Sequence, residues 1–145
     1  MTKKIVPDFL YEDLSYKIRG CVFNVYNTLG FGHKENVYQA ALEIEFEKLK
    51  INFEREKILP VLYDGKKVGI YKPDFVIDDK IIVEMKAVPF MLKDYEAQLA
   101  YYLKGTNYKL GFLINFGGKK LDIRRRAWTP NYQHQRKSAI ISENQ

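Results

Sequence analysis

Two opposite charges stand in a run that should be wholly apolar, and a Pro-Asp pair lies just upstream. The order is Pro73-Asp74, nine residues, then Glu84-Met85-Lys86. The stretch Ile81-Ile82-Val83-Glu84-Met85-Lys86-Ala87-Val88 places apolar residues on both faces, as in a strand buried in the middle of a sheet. Glu84 and Lys86 alternate with Met85 and therefore project from the same face. Burying a carboxylate or an ammonium costs several kcal/mol unless it is paired or bound to metal. Asp74, on the preceding strand across an Asp78-Asp79-Lys80 turn, can bring a second carboxylate alongside. Two acids and a lysine on one sheet face can hold a divalent cation and activate a water.

Positioning these groups falls to elements that the patterning predicts. Leu14, Ile18, Cys21, Val22, Val25 and Leu29 recur at helical spacing, and Gly30 stops that first helix. A break at Gly30-Phe31-Gly32 follows, with Gly32 suited to a turn of positive φ. A second helix is predicted over 34–50, with Tyr38, Leu42, Phe46 and Leu49 on one stripe widened by Val37, Ala40, Ala41 and Ile44. Strands are predicted over 53–55, 58–63, 67–71, 73–77 and 81–88, with a Tyr63-Asp64-Gly65-Lys66 hairpin turn and Pro89 ending the last of them. A third helix over 92–103, closed by Gly105, precedes strands over 108–115 and 121–127. The expected fold is α/β: a central mixed sheet flanked by helices. Residues 1–128 form one domain on this reading, and 129–145 form a polar tail, in part without order.

Composition narrows the function classes. The chain has 145 residues, 46% of them hydrophobic, enough for a core without staples. One cysteine, Cys21, leaves no disulfide framework and no cysteine-based zinc site. His33 and His134 are too few for a histidine-rich metal centre. No signal-type apolar core follows the first residues and no apolar run is long enough for a membrane span, so a cytoplasmic protein is expected. The 24 Lys and Arg against 18 acids give a formal charge of +6, which suits a polyanionic partner without requiring one. Local basic density lies at Lys119-Lys120 and Arg124-Arg125-Arg126.

The Pro-Asp, Glu-x-Lys arrangement resembles the PD-(D/E)XK nuclease superfamily. Gly32-His33-Lys34-Glu35-Asn36-Val37-Tyr38 is similar to the signature of one bacterial branch, the GxxExxY protein family. Gln98 and Tyr102 resemble the Q-x-x-x-Y element of RecB-like nucleases, and Phe112-Leu113-Ile114-Asn115-Phe116-Gly117 resembles the closing strand. The resemblance covers roughly residues 10–127. A histidine that often precedes the glutamine in these relatives has no counterpart in Lys93-Asp94-Tyr95-Glu96-Ala97. A restriction-endonuclease-like core and divalent-metal phosphodiesterase chemistry on nucleic acid, DNA first, are what the resemblance implies.

Chemistry on the residues agrees with that implication. Phosphodiester hydrolysis needs an activated water, charge neutralisation on the non-bridging oxygens and help for the leaving oxygen. Asp74 and Glu84 offer hard oxygen ligands suited to Mg²⁺ or Mn²⁺, with the Met85 carbonyl as a third and Glu35 holding a metal water or a second ion. Lys86 would position or activate the attacking water. Gln98 would bond that water or a phosphate, and Tyr102 would hold the third helix against the site. The superfamily's habit of pairing makes a homodimer an expectation.

Plainer readings stand beside these. Glu84 and Lys86 could form an ordinary same-face ion pair, Asp74 could end a turn, and Glu35 could be a first-turn acid favouring the helix dipole. Gln98 and Tyr102 could be a surface pair. Tyr38 reads as a packing residue, Cys21 as an inert small hydrophobe and His33 as a solvent-facing loop residue. A non-catalytic nucleic-acid-binding or regulatory protein that retains the fold is the rival function.

Overall fold

The structure, a computed structural model, describes residues 10–128; the tail expected over 129–145 lies outside the described residues. Two helices, α1 (Glu12–Leu29) and α2 (Glu35–Lys48), precede β1 (Phe53–Arg55), β2 (Leu59–Tyr63), β3 (Lys66–Tyr71), β4 (Phe75–Ile77) and β5 (Ile81–Lys86). Then come α3 (Lys93–Thr106), β6 (Leu110–Asn115) and β7 (Asp122–Ala127). Five strands form one mixed sheet in the order β1-β4-β5-β6-β7. Only β5 and β6 are parallel, joined by α3 as a strand-helix-strand crossover. The expected α/β class, a mixed central sheet flanked by helices, is therefore the architecture observed.

The apolar patterns divide between the two faces. Ile81, Val83 and Met85 of β5 pack with Ile18, Val22, Leu42 and Phe46 of α1 and α2. Ile82 faces the other way, with Val76, Leu99, Leu103 and Leu113, beneath α3. Glu84 alternates with Ile82, so it and Lys86 lie on the α3 side of the central strand.

Three details differ from the sequence expectation. The β2–β3 hairpin is a separate two-stranded sheet packed on α3 rather than part of the main sheet. Its turn is as predicted, with Asp64 (φ 54°) and Gly65 (φ 74°) both left-handed. Gly105 does not close α3; the helix continues to Thr106 and Asn107 (φ 66°) caps it, its N–H bonding to the Leu103 carbonyl at 3.0 Å. Gly105 instead lets the hairpin approach, since a Cβ there would sit 3.0 Å from the Val61 side chain. Along α2, Val37, Ile44 and Leu49 are exposed, and the buried stripe is Tyr38, Gln39, Leu42 and Phe46.

Candidate active site

Strand β5 leaves the sheet earlier than its apolar run suggests, at Lys86 rather than Val88. The cause is Asn115, opposite Lys86 in the parallel register and only 3% exposed. Its side-chain amide donates to the Val88 carbonyl at 2.9 Å, and its Oδ1 accepts from the Val88 N–H at 3.1 Å and the Gly117 N–H at 3.0 Å. Gly117 completes the clamp: a Cβ there would lie 2.2 Å from the Val88 nitrogen, so only glycine fits. The main chain just beyond Lys86 is thereby pinned to the end of β6.

Asp74 sits on the bend immediately before β4. The β4–β5 register pairs Phe75 with Val83, so Asp74 falls opposite Glu84 at the point where the ladder opens. There the side chains take over the backbone's role. The Met85 N–H donates to Asp74 Oδ2 at 2.7 Å, and the Asp74 N–H donates to Glu84 Oε1 at 3.0 Å. This reciprocal exchange fixes both carboxyl groups.

Burial and mutual repulsion perturb the acids. Burial, reinforced by the neighbouring Asp74 charge, pushes the Glu84 carboxyl up to about 7. Burial also raises Asp74, opposed by the Met85 N–H and by the Lys86 ammonium. Lys86 makes no ion pair with either acid among the described residues; its ammonium lies over the Tyr95 ring, 4.5 Å from the centroid. Glu84, Lys86, Gln98 and Tyr102 line one cavity of about 10 Å³, joined by Tyr71, Tyr95 and the apolar Leu99 and Leu113. That is room for about one water.

Tyr102 stacks face to face on Tyr71, with centroids 3.7 Å apart and planes within 4°. The Tyr71 hydroxyl is buried beside the Glu84 carboxyl, and burial followed by the Glu84 charge pushes its pKa upward. Glu35 begins α2, which packs on the opposite face of the sheet. It does not line the cavity, yet it feels the cluster: burial first, then the Asp74 charge, raise its carboxyl, while Lys86 pulls it down. The loop before it turns at Gly32 (φ 105°). Tyr38 accepts from the His33 N–H at 3.2 Å, donates to the Gly30 carbonyl at 2.6 Å and stacks on Phe116, which makes it a packing residue.

With this geometry in view, the match of the family model for the PD-(D/E)XK nuclease superfamily to residues 12–126 decides the affiliation. The chain belongs to the PD-(D/E)XK nuclease superfamily. Its members are typically hydrolytic nucleases that use divalent metals. Among solved structures, the crystal structure of SSO0001 is similar at 20% identity, with a TM-score of 0.48 over 64% of this chain and 50% of that one. The chain thus spans about half the length of that protein. No curated protein matches the chain.

The donor chemistry of this PD-(D/E)XK site fits a hard cation, although among the described residues no three His, Cys, Asp or Glu side chains gather as a metal cluster. Asp74 and Glu84 each use one oxygen on a backbone N–H, which leaves the other oxygen of each for a ligand. Two repelling, desolvated carboxylates are the arrangement that a divalent ion relieves. A carbonyl, a water or a phosphate oxygen would complete the shell. Sequence reading missed Tyr71, Tyr95 and Asn115. Tyr71 lies only three residues before Asp74, but nothing in local pattern says that a hairpin strand outside the main sheet will close over Glu84.

The basic run on β7 has a different use from the one its density suggests. Arg124 reaches Glu96 at 3.0 Å and Asp122 at 2.9 Å, and Arg126 also pairs with Glu96. These charges tie β7 to α3. Among the described residues no helix is long and apolar enough to cross a membrane.

Proposed function

We propose that the protein is a Mg²⁺- or Mn²⁺-dependent nuclease hydrolysing DNA phosphodiester bonds, of the GxxExxY branch of its superfamily. The observation that carries this reading is the reciprocal exchange between Asp74 and Glu84 beside Lys86, which gathers two acids and a lysine without pairing them to one another. Asp74 and Glu84 would hold the cation with the Met85 carbonyl, and Glu35 would hold a water of its shell or a second ion. The bound ion would supply Lewis acidity at the scissile phosphate and a lowered pKa for the attacking water. Lys86 orients that water and steadies negative charge as the nucleophile forms. Its reach is set by the Asn115 clamp behind it and the Tyr95 ring beneath it. Gln98, which lines the small cavity, would bond the attacking water or a phosphate, and Tyr102, stacked on Tyr71, would hold the helix that carries Gln98 against the site.

Calorimetric titration with Mn²⁺, run beside cleavage assays on single-stranded, duplex and branched DNA and RNA, tests the assignment. Mn²⁺ binding that is lost in Asp74→Asn, together with chelator-sensitive cleavage, is the expected result. No measurable Mn²⁺ binding and no cleavage of any substrate would leave a non-catalytic nucleic-acid-binding protein with a nuclease fold.

A further inference from the structure

Three connections meet at the C-terminal ends of β5 and β6: residues 30–34, 87–92 and 116–121. Each is tied to the fold by a side-chain contact. Tyr38 ties the first to Phe116, Asn115 ties the second to Val88, and the Tyr26 hydroxyl donates to the Gly118 carbonyl at 2.9 Å in the third. Two of these pinned loops nevertheless hold a phenylalanine in solvent: Phe31 is 54% exposed and Phe90 is 80% exposed. Neither belongs to the hydrophobic core nor packs against it. Lys34, Lys93, Lys119 and Lys120 are exposed on the same loops or at the adjoining start of α3, and among the described residues none has an ion-pair partner. The paired arginines of β7 offer the contrast, since their charge is already spent on Glu96 and Asp122.

Aromatic faces interleaved with free cations beside a carboxylate pair match one kind of ligand: a polyanion with flat apolar bases. We propose that this rim binds an unpaired strand of nucleic acid, with Phe90 and Phe31 stacking on bases and the four lysines contacting phosphates. Paired bases stack on one another and present only edges and backbone, so the phenyl rings select a strand whose bases are free to turn outward. The inference rests on the nuclease reading of the site and narrows its substrate to single strands or frayed ends.

Fluorescence anisotropy of the full chain tests it, with Ca²⁺ replacing the catalytic ion. The probes are a fluorescein-labelled oligothymidylate of roughly 20 nucleotides, longer than one binding site, and a blunt duplex of equal length. The single strand should bind more tightly than the duplex. Phe90→Ala should weaken single-strand binding by roughly 10-fold, the scale of one missing base stack, and Phe90→Trp should restore it. Lys119→Ala combined with Lys120→Ala should reduce the salt slope by about 0.7 for each phosphate that is no longer neutralised. Both phenylalanines are exposed, so melting temperatures should hold. Tighter binding to the blunt duplex, or single-strand affinity unchanged in both Phe90→Ala and Phe31→Ala, overturns the proposal. Mn²⁺-dependent cleavage measured in parallel separates the two readings: cleavage without a phenylalanine effect removes only the stacking rim, and a phenylalanine effect without cleavage or Mn²⁺ binding removes only the nuclease.

Discussion

Two charged clusters flank α3, and they treat charge in opposite ways. On the β7 side, Glu96 is enclosed by Arg124 and Arg126, and Asp122 completes the set. Each formal charge there has an opposite neighbour within contact distance. On the β5 side, Asp74 and Glu84 bond to backbone N–H groups, face each other's charge and leave Lys86 over an aromatic ring. The first cluster is finished as it stands and joins a strand to a helix. The second is electrostatically incomplete, and its geometry is fixed despite that cost. Partly buried charge that is paired is explained by structure; like charge held side by side by main-chain hydrogen bonds marks a candidate functional site.

The comparison can be broken most sharply at Lys86. Lys86→Ala should lower the cleavage rate by roughly 10²-fold or more, as for removal of one electrostatic stabiliser, while calorimetry shows Mn²⁺ still bound. Equal cleavage by wild type and variant, or cleavage that persists in chelator, would point to a contaminating enzyme.

Next in size is the pH dependence of the metal-free protein. Folding raises the Glu84 carboxyl from its ordinary value of 4.5 to about 7. The folded state therefore holds this proton more tightly than the unfolded state, and stability falls as pH rises from about 4.5 to 7. The size of this loss is on the order of 3 kcal/mol at most. Glu84→Gln should accordingly raise metal-free stability at pH 8 by about 2–3 kcal/mol, with the gain fading toward pH 5. Urea titrations at the two pH values read this directly, and a destabilising substitution at pH 8 would mean that the site is not strained by its own charge.

The β7 cluster should behave in the opposite sense. Glu96→Ala leaves two arginines without their shared partner and should lower the melting temperature slightly, because both arginines stay in reach of water, with Mn²⁺ affinity unaltered. A gain in stability would erase the contrast between the clusters.

The smallest effect belongs to Glu35. Glu35→Gln should weaken Mn²⁺ binding or slow cleavage several-fold with the melting temperature nearly unchanged. A large loss of stability with unaltered metal affinity would instead make Glu35 a helix-start residue.

Where the sequence spoke clearly, it did so through local physics. The doubly apolar run marks β5 as a central strand, and the Asp64-Gly65 pair marks a left-handed hairpin turn. The nine-residue interval from Asp74 to Glu84 is short enough that a tight turn sets the two residues opposite one another. What stayed hidden depends on distant partners. Alternation identifies β2 and β3 as strands but carries no information on which sheet they join. Asn115 looks like a strand-end polar residue until Val88 folds back onto it. Gly105 reads as a helix terminator because its real constraint, the Val61 side chain, comes from another element. The run Arg124-Arg125-Arg126 looks like a ligand-binding patch because sequence shows its charge and not the Glu96 that meets it.

The parallel pairing of β5 with β6 also implies an order of assembly. The β4–β5 turn closes over a few residues, so Asp74 and Glu84 can meet early and at little entropic cost. Lys86 reaches its final position only when β6 has docked and Asn115 has gripped Val88, after the whole of α3 has crossed over. The carboxylate pair would thus form before the groups that finish the pocket. A divalent ion present during refolding would meet two acids already side by side, and could speed the collapse by relieving their repulsion before the crossover is complete.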